Sequence, residues 1–138
     1  MSKASNYLEN ALLNSLFGKT SDLGALASVP TIYLALLTAA PNDASTGSTI
    51  TEANYTGYAR KQTAASDWNA ASGGAIDNLN ALAFDACTGG SSTVTHFALV
   101  DAATAGNVLA YGALDASPAV SSGITPQFAA GAVELSLD

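Results

Sequence analysis

The sequence predicts an all-β protein: a single antiparallel, jelly-roll-like β-sandwich with one N-terminal amphipathic α-helix. Short apolar runs recur from about residue 30 to residue 138, divided by Gly, Asp, Asn, Pro or Ser, which is the spacing of sandwiches and barrels. Helical periodicity is convincing in the first segment alone, SNYLENALLNSLFGK. A chain of 138 residues with no internal repeat fits one domain, expected over 1–138.

The helix is expected over about residues 6–18. Leu8, Leu12 and Leu16 recur at i, i+4, i+8, and Leu13 with Phe17 widens the stripe. Asn6 and Glu9 have capping-box spacing, and Gly18 supplies a left-handed stop. The face carrying Tyr7, Leu8, Leu12, Leu16 and Phe17 is a candidate interface, buried either on the first strand or on another subunit. On either account, Leu12→Asp buries a charge and costs stability or assembly.

That first strand, TIYLALLT, is apolar on both faces: Ile32, Leu34 and Leu36 on one side, Tyr33, Ala35 and Leu37 on the other. A half-exposed strand alternates, so something must lie on each face. One face is expected in the sandwich core and the other under the helix or a neighbouring subunit. The following stretch, Pro41 to Gly57, is the longest weakly patterned segment and reads as an arm or contact loop, with Ile50 and Tyr55 as anchors.

Further strands are expected in GYARKQTAA, AIDNLNALAF, TVTHFALVD, GNVLAYGAL, ITPQFAA and AVELSLD. Two of them form a hairpin around a loop from Asp101 to Asn107. Pro118 and Pro126 cannot donate ladder hydrogen bonds and belong at strand starts, edges or bulges. In the closing strand Val133, Leu135 and Leu137 should point inward, with Glu134, Ser136 and Asp138 outward.

The composition argues for assembly rather than catalysis. Charged residues are 11% of the chain, so the surface is built largely of Ser, Thr, Asn, Gly and Ala, which cost little side-chain entropy to bury against a neighbour. Net charge is −7 with four strong cations, which gives nucleic acid no basic footprint. No apolar run approaches the ~20 residues of a membrane span and no secretory signal is present, so the chain is expected to stay in the cytoplasm where it folds.

Catalytic constellations are not found. His96 is the one histidine, placed on a strand face with Val94, Ala98 and Val100, the setting of a packed histidine rather than a base. Cys87 is the one cysteine and reads as a buried structural thiol. The carboxylates are scattered singly without metal-ligand spacing, and the Gly pairs of ASGGA and TGGSS lack the flanks of a phosphate cradle. No enzyme activity, cofactor or metal is expected. Arg60 and Lys61, the adjacent cations, suit either an acidic neighbour across an interface or a solvated pair. Trp68 suits either an interface or the core.

In order along the chain, SNYLENALLNSLFG, TIYLALLTAAPNDA, GYARKQTA, ASGGAIDNLNALAF, TVTHFALVDAATAGNVLAYGAL and FAAGAVELSLD resemble a family of small tailed-bacteriophage virion proteins, often labelled tail fibre or virion structural protein. The resemblance implies a non-enzymatic structural component of the virion, made in the host bacterial cytoplasm. Compact β-sandwiches of this size look like capsid cement proteins. The leading expectation is therefore a decoration protein on the capsid surface, homo-oligomeric and most simply trimeric, that bridges copies of the major capsid protein. The alternatives are a tail, baseplate or fibre-attachment protein, and a carbohydrate-binding module in which Tyr55, Tyr58 and Trp68 face a glycan.

Overall fold

Among the described residues one α-helix, α1 (Asn6–Leu16), is followed by ten short strands and one 3-10 turn (Ala65–Asp67), and the all-β class with one N-terminal helix is what the chain adopts. The computed structural model describes residues 6–19 and 29–137, with side chains from Glu9 onward. The chain divides into two compact units, one of Met1–Pro30, Ala64–Leu82 and Phe128–Asp138, the other of Thr31–Thr63 and Ala83–Gln127.

In the first unit, α1 ends where expected, with Gly18 in the left-handed region at φ 70°. The helix packs on β3 (Ala75–Asp77). Its orientation differs from the leucine stripe. Leu13 and Phe17 are buried, Leu16 is half-buried and Leu12 is 47% exposed. Polar anchors set this rotation: Asn10 and Asn14 lend their Oδ1 atoms to the N–H groups of Gly74 (2.7 Å) and Ala71 (2.8 Å). The Tyr7 and Leu8 side chains lie outside the described residues.

The turn that meets those asparagines is the Gly pair of ASGGA. Gly73 and Gly74 both have positive φ, 62° and 79°, and Ser72 and Ala75 close the turn by exchanging backbone bonds. A Cβ on Gly74 would run into the Glu9 carboxylate. β10 (Glu134–Ser136) pairs antiparallel with β3, Leu135 opposite Ile76. Val133 is buried, Leu135 half-buried, and Glu134 and Ser136 exposed as expected, but Leu137 is exposed too, although its N–H still donates to Gly74 O (2.8 Å). Fully buried Asn78 joins this end of the chain: Nδ2 donates to the carbonyls of Asn80 (2.7 Å) and Ala129 (2.9 Å), and Oδ1 accepts from Val133 N–H (2.8 Å).

The second unit holds the largest sheet, in the order β2 (Lys61–Gln62), β1 (Tyr33–Leu37), β6 (His96–Val100), β7 (Val108–Ala113), all antiparallel. β6 and β7 are the expected hairpin, joined by 101–107. A separate ladder pairs β5 (Ser91–Thr93) with β8 (Ala119–Ser121), which the apolar pattern did not mark because Ser and Thr dominate it. The two prolines immediately precede β8 and β9 (Gln127–Phe128), at strand starts. β4 (Leu82–Ala83) and β9 each straddle the division between units.

The second face of β1 is covered by the chain's own loop. Ala35 and Leu37 form a buried cluster with Ala98 and Val100, and Tyr33, Ile50 and Val108 pack against it. That cover includes Ile50, in the stretch between Pro41 and Gly57. That stretch is not an extended arm. Asn42 Oδ1 accepts from Ala44 N–H (2.9 Å), Thr49 Oγ1 from Thr46 N–H (2.8 Å), and Ile50 N–H donates to Thr46 O (3.1 Å). Short Asx- and Thr-closed turns of this kind order a polar segment without a partner. The loop then runs along the β1 edge, where Thr38 N–H donates to Thr51 O and Ala53 N–H to Leu36 O.

Candidate functional site

Two features of the second unit concentrate polar side chains, and both use the loop between Pro41 and Gly57. The first is a partly buried network on the outer edge of β1. Leu36 N–H points to that edge between β2 and the 51–53 segment, where no strand residue reaches it. Tyr58 Oη accepts it (3.1 Å) and donates to Glu52 Oε2 (2.6 Å). Glu52 in turn accepts from Arg60 through Nε (3.0 Å to Oε1) and Nη2 (2.5 Å to Oε1). Arg60 spends its remaining donors on three carbonyls: Ala102 and Ala105 from Nη1 (both 2.8 Å) and Gly47 from Nη2 (2.8 Å).

The guanidinium therefore ties the loop to the tip of the β6–β7 hairpin. A planar fork with five donors suits such a cluster of oxygens, which a lysine could not satisfy. Gly47 is needed for the approach, since a Cβ there would fall on the Ala105 carbonyl oxygen. The hairpin tip is held by Asp101, whose Oδ1 and Oδ2 accept from Asn107 N–H (2.6 Å) and Nδ2 (2.8 Å). These bonds hold the Asp101 carboxyl below the usual carboxylate range. Burial, reinforced by the bond to Glu52, pushes the Tyr58 phenol far above its ordinary value.

The second feature is an open recess of about 320 Å³ lined by Asn42, Asp43, Ser45 and residues Val108 to Tyr111 of β7. Tyr111 stands at its edge, 40% exposed, with its hydroxyl donating to Asp43 Oδ1 (2.6 Å). That bond raises the Tyr111 pKa.

The candidate interface residues are thus dispersed. Trp68 is 1% exposed and meets Phe17 edge-on, ring centroids 4.5 Å apart, inside the first unit. Tyr55 is buried, with its hydroxyl on Asp85 O (3.1 Å), and its ring packs edge-on against Tyr58, which stacks on Phe84. Tyr55, Tyr58 and Trp68 do not form an open aromatic platform. The Arg60 side chain is 4% exposed and its charge is answered within the chain by Glu52, so it is neither a solvated cation nor free for a neighbour. Lys61, half-buried on β2 opposite Leu34, takes no part in that pair. Ile50 faces the sheet. Sequence reasoning missed Glu52, Gly47, Asp43 and Tyr111. Glu52 alone left a signal, an acid eight residues before Arg60 in a segment with few charges.

His96 is half-buried with Nδ1 against Thr95 Oγ1 (2.8 Å), and Cys87 is buried with Sγ near Gly89 O, the packed roles expected of both. Among the described residues no helix is long and apolar enough to cross a membrane. Comparison with known families gives one decisive match: the model described as podophage GP4 fiber I protein gp80 aligns with residues 3–136. The chain belongs to that family. This podophage fibre family is one of tailed-phage virion structural proteins, and the match covers both units rather than a local motif. No curated protein matches the chain. For a fibre I family member, the Arg60 network and the Tyr111 recess are the two features of the second unit that gather polar side chains.

Proposed function

We propose that the protein is a non-catalytic structural subunit of a tail fibre or its attachment to the virion. The observation that carries this reading is the family match over residues 3–136. The composition supports it: a surface of small, uncharged side chains favours contact with copies of itself and with a neighbouring virion protein. Repetition supplies the strength, because each added contact in an assembly forms at high effective concentration. The loop clamped by Arg60 gives such contacts a fixed surface, since little ordering entropy remains to be lost on docking.

The test is electron microscopy of intact virions labelled with a Fab raised against this protein. Label on the tail or its fibres is the expected result. Label spread over the head would overturn the fibre reading in favour of a capsid decoration protein that bridges copies of the major capsid protein.

A further inference from the structure

We propose that the recess between Asn42–Ser45 and β7 binds a saccharide, with one sugar ring stacked on Tyr111. A sugar presents an apolar face of C–H groups and a rim of hydroxyls. Its recognition needs an aromatic face in solvent beside polar groups fixed in place. Tyr111 is the aromatic among the described residues that stand out as large and exposed, whereas Tyr55 and Trp68 are closed inside the fold.

The ring is preorganised at both ends. Its backbone is held in β7 opposite Ala98, and its hydroxyl is tied to Asp43 Oδ1. Less freedom is then lost when a ligand docks. The polar rim is supplied by the loop: Asp43 offers Oδ2 as an acceptor, Asn42 spends Oδ1 on Ala44 N–H and keeps its amide donors, and the Ser45 hydroxyl accepts from Asn42 N–H and can still donate.

β7 adds main-chain groups. It is the edge strand of its sheet, and Leu114 N–H donates to Thr95 O. Alternation along the antiparallel ladder therefore turns the N–H and C=O of Tyr111 away from β6, toward the open edge. The volume of about 320 Å³ fits a mono- or disaccharide, at the small end of the roughly 300–1,000 Å³ usual for ligand sites. The site deepens the fibre reading, which would place it outside the particle, but its chemistry does not depend on that placement.

The test uses the purified full chain on an array of bacterial surface oligosaccharides, with the best-bound oligosaccharide then titrated in solution. Saturable binding is expected. Tyr111→Ala should weaken it about tenfold or more, the scale of one lost ring contact plus its tether. Asp43→Asn, which keeps the size of the side chain, should weaken it as well while leaving the circular dichroism spectrum unchanged. Binding to no member of the array, or parental affinity in both variants, overturns the proposal. Neither result bears on where the protein sits, so a saccharide site that fails leaves the fibre reading standing, and label on the head leaves the saccharide site standing.

Discussion

Arg60 and Asn78 show how single polar residues organise a chain with few charges. Each meets several oxygens or amides from segments distant in sequence, and each is closed to solvent. Arg60→Met would leave Glu52 without its cation and three carbonyls without a donor. Breaking a paired charge with this much burial costs about 3 kcal/mol, which urea unfolding would register as a lower midpoint. Asn78→Ala removes three hydrogen bonds at a site with no water access and should cost about 3 kcal/mol by the same measurement. Neither role was legible in the sequence. An arginine beside a lysine suits an interface or a solvated pair, and nothing within AIDNLNALAF marks Asn78 as a buried anchor. What changes their meaning is the company folding gives them, which no local pattern records.

At the level of elements, α1 was legible in its extent and stop but not in its rotation. Leu12 lies on the exposed side, so Leu12→Asp should change the unfolding free energy, measured by urea titration, by no more than about 0.5 kcal/mol, the ordinary range for surface substitutions. Leu13→Asp at the buried neighbour should unfold the unit, and the two together check the rotation. Trp68→Ala should cost about 3–5 kcal/mol, since it empties a packed site against Phe17. The hairpin, the stop at Gly18 and the proline positions followed from turn chemistry, which acts over a few residues and is therefore readable. The β5–β8 ladder and the cover over β1 were not. The first is built of Ser, Thr, Ala and Val without a clear apolar alternation, and the second depends on a polar loop folding back to place Ile50 on the sheet.

For the whole molecule, the half-buried Tyr58 phenol sets an alkaline limit. Tyr58 keeps its proton in the folded state at a pH where the unfolded chain, with an ordinary value of about 10, releases it. Its contribution is complete below pH ~10, and stability should fall as the pH rises above that value. Urea midpoints measured on either side of pH ~10 should drop more in the parent than in Tyr58→Phe; equal drops would show that the phenol is not protected. The Arg60 clasp has a consequence in time as well as energy. It joins Arg60 to carbonyls 42 and 45 residues further along the chain, a loop-closure cost that disfavours its forming early, so we expect it to close last. Contacts made that late are absent from the folding transition state and act on the escape rate alone. In stopped-flow experiments, Arg60→Met should leave the refolding arm of the chevron in place and lift the unfolding arm. The guanidinium would then serve as a latch on lifetime, slowing the loss of native subunits between one host and the next.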